Sequence, residues 1–261
     1  MKKPMHPEPT LPELSDEEIL RYNRHISLKD FDFSGQESLK SSRVLIIGAG
    51  GLGCASSQYL ACAGVGVITL VDDDQVELSN LQRQVLHTDQ DIGRFKVESA
   101  GESLQLLNPH IDVRTVNQRL PDEKLAGLIQ AHDVVIDASD NLDTRNQINQ
   151  QCFLHKIPLI SGAAIRMEGF LSVFTYQENE PCYQCFSHLF GSHAPTCAEN
   201  GVLSPVVGII GSMQALEAIK VLANYGRPLN NKVLLFDAFK MAWREMKLPQ
   251  NPLCPVCSSI D

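Results

Sequence analysis

No run of basic side chains occurs anywhere in these 261 residues, and Lys plus Arg (22) are outnumbered by Asp plus Glu (31), for a formal net charge of -9. That balance leaves no electrostatic footprint for nucleic acid or for an anionic membrane surface. The first ten residues, MKKPMHPEPT, hold prolines and polar groups where a secretory signal needs an apolar core, and no stretch reads as a membrane span. The expected location is the cytoplasm. Internal repeats and low-complexity tracts are absent too, and 43% hydrophobic with 20% charged residues matches ordinary folded proteins, which excludes disordered, collagen-like and coiled-coil classes. The Pro-rich start marks residues 1–13 as a mobile tail, leaving 14–261 as a single domain.

What is present begins with periodicity. Ser15 and Glu18 have capping-box spacing, so a short helix carrying Arg21 and Arg24 is expected there, followed by a turn at Ser34 and Gly35. From Arg43 short apolar runs alternate with helical stretches, the pattern of a parallel sheet with crossover helices. Strands are expected at 43–47, 66–71, 112–116, 133–137 and 157–161, and helices at 51–63, 94–107, 122–131 and 141–155. A strand at 170–176 reads as an antiparallel extension, and a long apolar helix at 205–224 and strands at 232–236 and 240–247 follow. The fold class is therefore α/β: a Rossmann-like, doubly wound mixed sheet, mostly parallel.

The first strand runs into Gly48-Ala49-Gly50-Gly51-Leu52-Gly53, a G-x-G-x-x-G turn opening a helix, where the backbone can approach phosphate closely. Asp72 lies at the end of the next strand, 19 residues past Gly53, placed to accept from ribose hydroxyls. These features fit NAD and ATP equally. Arg83 and Lys96 follow, and Asp140-Asn141 come after the strand DVVID at its carboxyl end, so two cations and a carboxylate gather at the sheet's carboxyl edge. That charge set suits MgATP better than a nicotinamide, because nucleotidyl transfer must neutralise the departing pyrophosphate. Each residue also has a plainer reading, as a solvated surface charge or, for Asp140-Asn141, a helix cap.

Eight cysteines in a reducing compartment are not expected to form disulfides. Cys182-Tyr183-Gln184-Cys185 and Cys254-Pro255-Val256-Cys257 have zinc-knuckle spacing, and four thiolates make a closed tetrahedral Zn2+ site with a structural role. Cys54, Cys62 and Cys152 fall in expected helices as packing residues. Cys197 lies apart, in the polar stretch GSHAPTCAENG.

The stretches GAGGLG, DDDQVELSNLQRQ, DASDN and PVVGIIGSMQALEAIK resemble the family of ThiF, MoeB and the ubiquitin-activating enzymes, over nearly the whole chain from Leu14 to Cys257. Within it RYNRHISLKDFDFSGQE and SGAAIRMEGFLSVFTY look closer to the MoeB branch. The resemblance implies adenylation of the C-terminal carboxylate, on a Gly-Gly tail, of a ubiquitin-like sulfur carrier, in molybdenum cofactor biosynthesis. It further implies that Gly51 and Asp72 contact the nucleotide, that Asn80, Arg83 and Lys96 bind ribose or phosphates, and that Asp140, beside Asn141, serves Mg2+. Arg24 is implied to reach into the partner subunit of a homodimer. In ThiF-like relatives a cysteine near Cys197 takes part in thiol chemistry; the alternative is a plain loop thiol. A separate sulfur donor is expected, since no rhodanese-like segment follows Cys257. His25 and Phe95 depart from the family's usual Gln and Pro. Rival readings are an NAD-dependent oxidoreductase, a non-catalytic scaffold for a ubiquitin-like protein, and activation of a thiamine or tRNA-thiolation carrier.

Overall fold

Five short strands form the parallel part of the sheet; four of them are largely buried on both faces, as a covered parallel sheet requires, while the edge strand DVRTV stays largely exposed. In the computed structural model, which describes residues 11–190 and 201–258, these are β1 (Arg43–Ile47), β2 (Val67–Val71), β3 (Asp112–Val116), β4 (Val134–Asp137) and β5 (Leu159–Ile165). They stand side by side in the order β3-β2-β1-β4-β5, all parallel. β6 (Glu168–Phe174), β7 (Lys232–Asp237) and β8 (Ala242–Lys247) extend the same sheet with antiparallel pairing to eight strands. The mixed sheet expected from sequence is present. β5 runs four residues past its expected end, because it continues into a hairpin with β6 instead of stopping at the end of its parallel pairing with β4.

Alternate side chains serve opposite layers. Val44 and Ile46 of β1 join one core cluster with residues of α3 (Asp32–Ser41), α4 (Gly51–Ala63), α5 (Lys96–Leu107) and the long C-terminal helix (Ser204–Leu222). Leu45 and Ile47 join the other, with α6 (Asp122–Gln130) and α7 (Leu142–His155). After α8 (Tyr183–Ser187) the long helix is α9. By length and composition alone α9 could cross a membrane, contrary to the sequence reading. It packs on α4, β5 and β6, as a core helix does.

Three local expectations are corrected. The capping box forms, with Ser15 Oγ accepting from the Glu18 N–H at 3.3 Å, but α1 (Asp16–Arg21) ends at Arg21. Tyr22 breaks the ladder and buries its ring, its hydroxyl accepting from Asn108 Nδ2 at 2.7 Å, so Arg24 sits on a separate turn, α2 (Asn23–Ile26). Gly35 lies inside α3, and a Cβ there would stand 2.8 Å from the Phe31 ring. The glycine makes room for an aromatic and makes no turn. Cys54 and Cys152 are buried as expected, whereas Cys62 is exposed. Residues 1–10 of the expected tail, and Cys197, lie outside the described residues.

Candidate active site

From β1 the chain winds to β2 and β3 on one side, and β4 and β5 lie on the other, so a crevice opens where the carboxyl ends of β1 and β4 part. The glycine turn occupies it. Gly48 has φ 103°, and a Cβ there would lie 2.6 Å from the Ala138 carbonyl oxygen. Gly50 is extended and caps α4, which starts at Gly51. Asp72 Oδ2 accepts from the Ala49 N–H at 2.7 Å, and Oδ1 from the Asp74 N–H at 2.9 Å. Burial raises the Asp72 carboxyl above the ordinary range, against the lowering pull of Lys96 and of those two amides. Asp72 thus secures the turn that it adjoins. Beneath it, His87 bridges Ser99 Oγ (2.9 Å) and the Ala49 carbonyl (3.4 Å), and burial holds this imidazole below its usual range.

A cleft of about 870 Å³ lies over the turn. Its lining brings together seven of the residues expected from sequence: Gly51, Asp72, Asn80, Arg83, Lys96, Asp140 and Asn141. Lys96 opens α5 and is buried, its Nζ 2.7 Å from Asp74 Oδ2, while Asp74 itself is exposed. Arg83 donates to the Ser79 carbonyl at 3.0 Å. Asn80 is buried, and its Oδ1 accepts from the Glu77 N–H at 3.2 Å. Asn141 caps α7, accepting from the Thr144 N–H at 2.9 Å, so the plainer reading of that residue holds as well. Asp140 is exposed and receives only a 3.4 Å contact from Asn141 Nδ2 among the described residues, which leaves carboxylate lone pairs for a hard cation. Arg24 is absent from this lining; it is exposed on α2.

Sequence reasoning missed the buried ion pair under the cleft. Arg145 Nη1 lies 3.3 Å from Asp137 Oδ2 and 3.4 Å from Ser161 Oγ; Nη2 donates to the carbonyls of Gly162 (3.1 Å) and Ser139. Asp137 also accepts from Ser161 Oγ (2.8 Å) and Ser139 Oγ (2.6 Å). An aspartate closing an apolar strand, with an arginine eight residues on, was the available signal. Gln84 was missed too: it lines the cleft, and its buried Oε1 has no partner among the described residues.

On the far side of α7, Cys182, Cys185, Cys254 and Cys257 are all buried, with every sulfur within 4.8 Å of the others. Cys182 and Cys254 sulfurs stand 3.6 Å apart, Cys185 and Cys257 sulfurs 3.3 Å. A tetrahedral ion with bonds of about 2.3 Å spaces thiolates about 3.8 Å apart, so the set fits a thiophilic metal. The Asn251 N–H points at Cys185 Sγ at 3.3 Å, an outer-sphere contact of the kind that steadies such ligands.

The ThiF family matches residues 22–256. The chain is 60% identical over 245 residues to the molybdopterin-synthase adenylyltransferase of Escherichia coli strain K12, covering 94% of this chain and 98% of that one. It is 43% identical to the adenylyltransferase and sulfurtransferase MOCS3 of Anopheles gambiae, covering 94% of this chain and 56% of that one. A crystal structure of E. coli MccB with ATP superposes with a TM-score of 0.76 at 25% identity, over 87% of this chain and 70% of that one.

The turn itself is testable. A Cβ at Gly53 would lie 1.9 Å from the Gly48 carbonyl oxygen, which α4 cannot yield without leaving the sheet. Gly53→Ala should cost about 3 kcal/mol or more in chemical denaturation and abolish nucleotide binding in calorimetry. A variant with wild-type stability and affinity would show that the turn tolerates a side chain.

Proposed function

Because the chain belongs to the ThiF family, we propose that it is an ATP-dependent adenylyltransferase acting on the C-terminal carboxylate of a ubiquitin-like sulfur carrier in molybdenum cofactor biosynthesis. The observation that carries this is the convergence of the glycine turn, Arg83, Lys96 and Asp140 on one cleft. A carboxylate oxygen of the carrier's terminal glycine, at the end of a Gly-Gly tail, attacks the α-phosphorus of ATP. The bond to the bridging oxygen breaks, pyrophosphate leaves with the electron pair, and an acyl-adenylate remains. No covalent nucleophile from the protein is required.

The residues then divide by position. The amides at the start of α4, around Gly51, meet phosphate, and Asp72 and Asn80 face the ribose. Arg83 and Lys96 balance charge that builds on the leaving group. Mg2+, held through Asp140, would supply further neutralisation of the triphosphate. Among the described residues Lys96 is paired to an exposed carboxylate, a partner that an entering phosphate displaces at small cost. The four-cysteine site holds structural Zn2+. By the family resemblance, Arg24 acts in the cleft of a second copy of the chain within a cytoplasmic homodimer; it is exposed and lies outside its own cleft lining. Sulfur arrives from a separate donor, and Cys197 remains a candidate thiol for that later transfer.

Three tests follow from these roles. The protein should catalyse ATP–pyrophosphate exchange only with a carrier ending in Gly-Gly, and Lys96→Ala should slow it by about 10³-fold. Exchange driven by free amino acids, or tight NAD binding without ATP binding, would overturn the reading. Metal analysis should find one zinc per chain, and chelation should lower the melting temperature strongly; metal-free protein of unchanged stability would remove the ion. Arg24→Ala and Asp140→Ala homodimers should each be nearly inactive, yet re-associated mixtures should recover roughly a quarter of wild-type activity, because half the dimers then hold one whole site. No recovery, where a tag pull-down confirms mixed dimers, would place Arg24 elsewhere.

A further inference from the structure

Gln84 is a buried polar side chain whose hydrogen-bonding capacity goes unused within the described residues. It is 3% exposed, yet it lines the cleft. Its backbone is held at both ends, the N–H donating to the Asn80 carbonyl at 3.1 Å and the carbonyl accepting from the His87 N–H at 3.1 Å. Its carboxamide is not held. Oε1 is shut off from solvent without a partner among the described residues, and none of them accepts from Nε2 either. An amide left unpaired in a buried setting destabilises the free protein, and a ligand that completes its bonds recovers that loss on binding.

The carboxamide stands against the glycine turn. Gln84 Nε2 is 3.7 Å from the place that a Cβ on Gly50 would occupy, so the missing side chain keeps the space between them open. Arg83, one residue earlier, lies over the next glycine, where a Cβ on Gly51 would be 3.5 Å from Arg83 Cγ. Successive side chains of one loop thus address successive residues of the turn. Gly50 caps the 13-residue helix α4 and Gly51 opens it, so the unpaired amides of its first turn border the same space as Nε2. Position selects the phosphate. Asp72, which faces the ribose, holds the Ala49 N–H on one side of Gly50, and Arg83 and Lys96 lie on the side where pyrophosphate leaves. The group that joins ribose to pyrophosphate is the α-phosphate.

We propose that Gln84 is an α-phosphate-binding residue: its Nε2–H donates to a non-bridging oxygen of the nucleotide's α-phosphate, adding a side-chain donor to the backbone donors at the start of α4. The inference deepens the adenylation reading and rests on it. A neutral donor suits this position, because it stabilises charge on the phosphoryl oxygens as the carrier's carboxylate adds, without capturing that carboxylate in an ion pair.

Gln84→Met keeps the length of the side chain and removes both polar ends. Affinities for MgATP, AMP and adenosine are measured without carrier, by competition against a fluorescent ATP analogue calibrated for each protein. MgATP and AMP should both bind about tenfold more weakly, while adenosine binds as it does to wild type. The melting temperature without nucleotide should match or exceed wild type, because a buried acceptor with no partner among the described residues has been removed. Unchanged AMP affinity overturns the proposal, whatever happens to MgATP. Equal weakening of adenosine overturns it too, since a nucleoside has no phosphate and its loss marks a distorted cleft. If Gln84→Met folds poorly, Gln84→Glu, of nearly the same shape, decides by the same comparison, its carboxylate repelling AMP and sparing adenosine. Failure of wild-type protein to bind MgATP at all would instead overturn the adenylation reading.

Discussion

The structure depends on how closely helix α4 can lie against its neighbours. Its first turn passes so near the glycine loop that a methyl group at Gly53 would overlap the Gly48 carbonyl, and a Cβ at Gly51 would stand 2.4 Å from Val207 of α9. A Cβ at Gly211 of α9 would in turn meet the Leu52 carbonyl oxygen at 2.6 Å. Three missing side chains thus let a strand end, α4 and α9 come together at points where any Cβ would clash. The close approach has a chemical result. The free amides of α4 come up against the cleft at the point where β1 and β4 diverge, and an anion there meets backbone donors first.

Charge is arranged around that point at two depths. Asp137 and Arg145 are both buried and satisfy one another with help from Ser139, Ser161 and Gly162; removing either would strand the other, so the pair resists local rearrangement. Lys96 and Asp74 are unequal: the ammonium is buried and the carboxylate is exposed. An exposed partner is screened by water and contributes little, which leaves Lys96 available to a stronger anion. The rigid pair lies below the cleft and the exchangeable one in its wall. Rigidity and ligand capture are separated by burial alone.

Much of this was legible in the sequence because it is local. The strand-turn-helix at residues 43–63 follows from hydrophobic period and glycine spacing, and the four cysteines from paired spacing. Asp72, Lys96 and Asp140 were found because each sits next to a strand end or at a helix start, where topology fixes its position, and Arg83 because it falls in the stretch DDDQVELSNLQRQ. The misses are those decided by tertiary contact. Gly35 reads as a turn until the Phe31 ring is placed beside it, and the break at Tyr22 reflects a buried hydroxyl whose partner, Asn108, is 86 residues away. Arg145 looks like any helix-surface arginine in sequence. Only the sheet brings Asp137, Ser161 and Gly162 around it.

The antiparallel half explains why a metal site belongs at this end of the sheet. β8 is an edge strand whose residues from Trp243 to Lys247 are all exposed, and β7 joins the sheet through β6. Such an extension is held by few buried side chains, and its strands arrive late in the chain. Two clasps compensate. Glu180 Oε1 accepts from Asn230 Nδ2 at 3.0 Å and Asn231 Nδ2 at 2.9 Å, fastening the entry to β7 to the segment after β6. The cysteine set then joins Cys182 to Cys254 and Cys185 to Cys257, each pair 72 residues apart, enclosing α9, β7 and β8 in one loop. Closing a loop of that length removes more chain freedom from the unfolded state than any single contact within it. Both clasps grip the segment that carries Tyr183, which lines the cleft. The stability of the extension and the placement of the cleft wall are therefore set by the same short stretch, residues 180–187.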